Sequence, residues 1–158
     1  MNQAHQAEPA HGSLSHAASM RVQAQAGEYW RRLWLSDPAL IAHLTEECLH
    51  RARKRLGQQG SEQEWLMRTL EEIQRRFDHA LARALRWPPT VDGHALAAAR
   101  AAFLLGGTPS EGDALFRTGE PAPEFQARLQ ALLPRSTPPE APLSMPPAPL
   151  RFWLFKSP

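Results

Sequence analysis

The chain has 158 residues and a net charge of +2, from 18 basic and 16 acidic side chains. That length suits one domain with tails, and a balance so close to neutral is too weak by itself to argue for nucleic acid. The single cysteine, Cys48, excludes an intrachain disulfide and a zinc site built from cysteines, and no apolar run approaches the roughly 18 residues of a membrane span.

Charge and proline are unevenly placed. Residues 20–60 carry seven basic against four acidic groups, whereas residues 88–133 carry three against five. Of the 15 prolines, eight fall between Pro134 and Pro158. Sixteen of the 18 basic residues are arginine. With the alanine and proline richness, that bias reads as a GC-rich, bacterial coding sequence. The N-terminus "MNQAHQAEPAHGSLSHAASM" has no basic segment followed by an apolar one, so it does not read as a secretory signal. A lone thiol with no leader is read as cytoplasmic.

Residues 1–20 hold Gln, His, Ser, Ala and Gly with little to bury, and are read as a disordered arm. Pattern begins just after Met20, so either the arm is real or translation starts there. A helical domain is expected over 21–133. Its first helix is placed at 22–35, with Trp30 and Trp34 on one face beside Leu33 and Ala26. "SDP" ends it, Asp37 caps the next, and Pro38 fits the first turn, where a missing N–H is harmless. That second helix runs from Pro38 to Leu56 and stops at Gly57. Ile41, Leu44, Cys48 and Ala52 make its apolar stripe.

The third helix has the clearest pattern. "SEQE" is a capping box from Ser61 to Glu64. Leu66, Leu70, Ile73, Phe77, Ala80 and Ala84 then repeat at heptad-like spacing, widened by Trp65, Leu81 and Leu85, until Trp87-Pro88-Pro89 stops the helix. A "GQQG" turn makes helices two and three an antiparallel hairpin. The 66–84 seam could serve an internal core or a homo-oligomer. A fourth helix over 93–105 follows Asp92 as its cap; its "ALAAARAAFLL" is apolar nearly all round and is expected to be the most buried. Thr108 to Glu111 caps a short helix to about Thr118, and a last helix covers 123–133. No stretch alternates at period two, so the fold class is all-α: a small bundle built on the helix hairpin.

Several stretches invite a chemical reading. "HLTEECLH" contains Glu47-x-x-His50, the spacing of carboxylate-bridged metal bundles. At 100° per residue, however, His43, Glu46, Glu47 and His50 fall opposite the core stripe, and helix three has no second such pair. A solvated face is the better reading, with no metal and no cofactor. Cys48 lies on the core stripe and reads as a small hydrophobe rather than a nucleophile. Arg51, Arg53, Lys54 and Arg55 put cations at the negative end of a helix dipole, and are also the residues with which the chain would hold phosphates if it bound nucleic acid. No glycine-rich phosphate loop or nucleophile elbow occurs.

The C-terminal region 134–158 is proline-rich and read as extended, with "RFWLFK" near its end. Arg151, Phe152, Trp153, Leu154, Phe155 and Lys156 combine aromatic anchors with flanking charge. They read either as a segment that folds back on a groove or as a docking peptide for a partner. The functional expectation is a non-enzymatic helical adaptor or regulatory subunit acting through protein contacts, with no membrane partner. The alternative is a nucleic-acid-binding regulator using the basic end of helix two.

Overall fold

The computed structural model describes residues 15–57 and 60–135, and they form six α-helices with no strand among them. In chain order these are α1 (His16–Arg32), α2 (Pro38–Leu56), α3 (Glu62–Ala84), α4 (Gly93–Gly106), α5 (Pro109–Ala114) and α6 (Pro123–Leu132). The all-α reading therefore holds. The C-terminal segment from residue 136, including Arg151 to Lys156, lies outside the described residues, as do residues 1–14.

Helices α1, α2 and α3 make an up-down-up bundle. Arg55 pairs with Glu72 at 3.0 Å and Arg76 with Glu47 at 3.3 Å, so α2 and α3 run antiparallel, as the short connection requires. Ser19 of α1 meets Arg53, and a methyl group added at Gly27 would lie 3.8 Å from Ile41, so α1 is antiparallel to α2. The caps predicted at Asp37, Ser61 and Gly57 form. Asp37 accepts the N–H groups of Ala39 and Leu40, Ser61 and Glu64 close a capping box, and Gly57 ends α2 at φ 69°.

The start of α1 corrects the expected arm. The helix begins at His16, capped by the Ser15 hydroxyl, which accepts from the Ala18 N–H at 3.2 Å. Residues 16–20 are therefore helical, and Met20 sits exposed within the helix. The physical reason is partner surface: Ala18 and Val22 are buried, and Val22 packs with Leu49 and Trp65. Composition shows few apolar groups there but not that a neighbouring helix is waiting for them.

The end of α1 differs too. The helix stops at Arg32, and Trp34 takes a left-handed backbone at φ 67°. The two tryptophans then part company. Trp30 enters the core, edge-on to Phe116 at 5.4 Å, while the Trp34 indole donates to the Leu104 carbonyl at 3.0 Å.

On α3 the heptad seam holds from Ile73 onward, where Ile73, Phe77, Ala80 and Ala84 are buried in the chain's own core. Nearer its start, Trp65 and Thr69 are buried whereas Leu66 and Leu70 are half-buried. Two helices flank α3 there, so the buried arc is set by both neighbours and turns away from the predicted line.

Helix α4 overturns its expectation. Of its residues only Ala99 and Phe103 are buried, and Leu105 is 90 % exposed. His94, Ala97, Ala98, Ala101 and Leu105 form one exposed stripe. The helix packs on α3 through Phe103, which meets Phe77 at 5.7 Å, and through Arg100, which grips Asp78 at 2.7 and 2.8 Å. Leu132 of α6 covers its C-terminal end at Gly106. An all-apolar helix predicts burial only if there is enough protein to surround it. Here the described chain covers one side. Asp92 occupies the N-cap position of α4 but its side chain makes no capping hydrogen bond.

Helix α5 ends at Ala114, sooner than the expected Thr118. Its Asp113 carboxylate accepts from the Ser36 hydroxyl and from the backbone N–H groups of Ser36 and Asp37 at 2.9 and 3.2 Å. Burial pushes the Asp113 carboxyl up, but the Ser36 hydroxyl and these N–H groups together outweigh it and hold it below its ordinary value. A carboxyl depressed in the folded state stabilises above its unfolded pKa and loses that contribution as pH falls through the folded one. Asp113→Ala should therefore be less stable than the parent near neutral pH. The gap should narrow as pH falls below about 4, read as urea midpoints across the acid range. A gap that stayed constant with pH would assign the effect to packing.

Candidate functional site

The site rests on the polar side of α3. At helical spacing, Arg75, His79 and Arg83 form a ridge, with Asp78 and Ala82 on one flank and Arg76 and Ala80 on the other. A concavity opens on each side of this ridge, and both are lined by His79 and Arg83.

The first is an open groove of about 490 Å³ where α3 turns into α4. Its apolar wall comes from Ala82, Trp87, Pro88, Pro89, Val91 and Leu96. The chain makes this wall because Arg86 takes a left-handed backbone at φ 56°, reversing direction, and the two prolines then hold the connection extended. The only carboxylate in the lining, Asp78, is paired with the Arg100 guanidinium, one nitrogen of which donates to both of its oxygens. Burial, opposed by that guanidinium, leaves the Asp78 carboxyl above its ordinary value.

The second is a tighter cleft of about 170 Å³, lined by Arg76, His79, Ala80, Arg83, Phe116 and Arg117 with Thr118. No carboxylate lines it. The Arg83 guanidinium is pinned by the carbonyls of Leu115 and Arg117 at 3.0 and 3.3 Å, partners that carry no net charge. Arg76 shares Glu47 with Arg51, and its own Nε–H is buried with no hydrogen-bond partner.

The basic end of α2 is engaged. Arg51 pairs with Glu47 at 2.6 Å, and Arg55 with Glu72 at 3.0 Å. Arg53 reaches the Ser19 hydroxyl at 3.2 Å and lies 5.9 Å from the centre of the Trp65 ring. Lys54 is exposed. Three of the four cations expected to meet phosphates are thus used in tying α2 to its own turns and to α1 and α3. Two carboxylates, Glu47 and Glu72, serve four guanidiniums, those of Arg51, Arg76, Arg55 and Arg75, so this side of the bundle keeps an excess of positive charge.

His43, Glu46 and His50 point to solvent as expected, but Glu47 does not. It lies half-buried in the α2–α3 seam, joined to Arg76 across it. Among the described residues no group of three or more His, Cys, Asp or Glu side chains is placed to hold a metal ion. Cys48 is buried, and burial, with the nearby Glu47 carboxylate, pushes its thiol up to about 12. A thiol so raised is inert at neutral pH. Alkylation at pH 8 is expected to be very slow in the native protein and rapid in denaturant, followed by mass spectrometry. Fast native labelling would place Cys48 outside the core.

The ridge and its two concavities were missed in the sequence. "RWPP" reads there only as a helix stop, and Arg83 on α3 and Arg117 beyond the end of α5 are far apart in the chain. The weak signal that existed was the Arg75, His79, Arg83 spacing on a helix whose opposite face is apolar. Comparison with protein-family models, with curated proteins and with solved structures finds no match to this chain.

Proposed function

We propose that this protein is a non-enzymatic helical adaptor or regulatory subunit that acts by binding a protein segment in the groove between the end of α3 and the start of α4. One observation supports this most: an open, mainly apolar groove of about 490 Å³ between the end of α3 and the start of α4, lined by the half-buried side chains of Trp87, Val91 and Leu96. Sites of this size and lining take one or two anchor side chains of a partner. In this reading the protein works in the cytoplasm of a bacterium. The C-terminal residues Arg151–Lys156, with four aromatic or aliphatic anchors between two cations, supply a second contact.

The reading is tested by placing a photo-crosslinking residue at Leu96 in the full chain, with Gln63 at the exposed start of α3 as the control. A discrete protein adduct in the producing cells from Leu96 and not from Gln63, abolished by Val91→Asp, is the expected result. No protein adduct at Leu96 would overturn it, and nucleic-acid adducts from further probes at Arg53 and Lys54 would do so in favour of the basic end of α2. Removing residues 151–158 should weaken but not abolish the Leu96 adduct.

A further inference from the structure

The groove and the cleft share a wall, and their chemistries are complementary in a way that names the partner's character. The groove is apolar with its one carboxylate already neutralised. The cleft is lined by three guanidiniums and an imidazole with no carboxylate. We propose that the bound segment is an acidic peptide: an apolar side chain seats in the groove, and an anionic group a short distance along the same segment seats in the cleft against His79, Arg83 and Arg117. This rests on the groove reading above and adds the chemical class of its ligand.

Three observations carry it beyond simple charge. The one carboxylate paired with a cleft guanidinium is oversubscribed, since Glu47 serves both Arg76 and Arg51, and no carboxylate lines the cleft itself. Arg83 is held by two backbone carbonyls, which fix its position without cancelling its charge. A pre-positioned cation loses little freedom when an anion arrives. The cleft walls include Phe116 and Ala80, apolar groups that displace water and so make an ion pair there stronger than on open surface. A cation-rich segment is disfavoured by the same arrangement, and so is the chain's own Arg151–Lys156 stretch with its two flanking positive charges.

The anion could be a carboxylate or a phosphate, and the test separates them. Three short peptides share a Trp-Leu anchor and differ in the following residues: two glutamates, one phosphoserine, or two lysines. Each is titrated into the full-length chain and followed by backbone and arginine side-chain nuclear magnetic resonance. The expected result is that the glutamate or the phosphoserine peptide shifts two groups of signals together, Val91 and Leu96 in the groove and Arg83, Arg117 and Thr118 in the cleft. The lysine peptide should shift neither at the same concentrations. Arg117→Gln should weaken the acidic peptide about tenfold, with an unchanged melting temperature showing that the fold is intact. Preference for phosphoserine over glutamate assigns a phosphopeptide, and the reverse an acidic one. Equal binding of the lysine peptide, shifts confined to Arg53 and Lys54, or no binding by either acidic peptide would each overturn the proposal. The Leu96 photo-crosslink keeps the two readings apart. If the protein adduct survives in an Arg117→Gln, His79→Gln double variant, the groove stands as a docking site and its ligand is not recognised through an anion.

Discussion

Replacing Phe77 by alanine should destabilise the protein by about 3–5 kcal/mol, the usual cost of emptying an aromatic site in a closed core. Phe77 has no solvent exposure and lies at the centre of the only aromatic cluster among the described residues. It meets Phe103 of α4 at 5.7 Å and Phe116, just beyond α5, at 6.4 Å. Phe116 in turn stands edge-on to Trp30 of α1. Four separate parts of the chain are therefore linked ring to ring, Trp30 to Phe116 to Phe77 to Phe103, and none can shift inward without losing contact with another. A small domain has about 5–15 kcal/mol of stability in all, so the variant should be marginally folded at room temperature. Urea unfolding gives the answer directly: the midpoint should fall steeply with little change in slope. A loss below about 1 kcal/mol would mean that the site collapses without penalty, and that the α4–α6 half is not locked to the three-helix bundle.

The second large effect has the opposite sign from what helix propensity alone gives. Glycine inside a helix is normally worse than alanine by about 1 kcal/mol, so Gly112→Ala in α5 would stabilise an isolated helix. In the fold it should destabilise by about 1–3 kcal/mol, the range of overpacked cores. A methyl group added at Gly112 would sit inside the contact distance of the Trp34 carbonyl, and 3.1 Å from the Leu35 nitrogen. These are backbone atoms held by the turn that ends α1, and they cannot move aside as a flexible side chain could. Helix α5 would have to lift off, loosening the Asp113 bonds to Ser36 and Asp37. Gly93 at the start of α4 is the control, because nothing lies within 4 Å of the added carbon. Gly93→Ala should be neutral or slightly stabilising in the same thermal melt. Equal behaviour of the two variants would show that α5 does not rest on the Trp34 turn.

The two positions also show where a sequence stops being informative. Phe77 is legible as core, because it sits in a 3-4 repeat on a capped helix and that periodicity is a local property. Gly112 is not. Nothing in "PSEGDA" says that another segment's backbone will lie against it, because that contact joins Gly112 to Trp34, on the far side of three intervening helices. The cleft is hidden for the same reason: Arg83 and Arg117 come together only when the end of α5 packs on α3, and the carbonyls that pin Arg83 belong to that loop.

By itself, the sequence determined the local grammar of this protein. It specified the all-α class, the caps at Asp37 and Ser61, the stop at Gly57, the core stripe of α2 with its buried cysteine, and the later half of the α3 seam. Each follows from side chains within one or two turns of one another, where spacing on a helix is geometry. The tertiary structure alone decided how wide each buried face is and what the rest of the surface offers. It drew Ala18 and Val22 into the bundle and turned Trp34 out of the first helix to hold α4. It left one side of the most apolar helix exposed, and it brought an apolar groove and a cationic cleft together along one ridge. The reason is common to all four. Burial is a property of pairs of surfaces, and which surfaces meet is settled by loop lengths, backbone reversals and competition among neighbours, none of which is written in the periodicity of a single element.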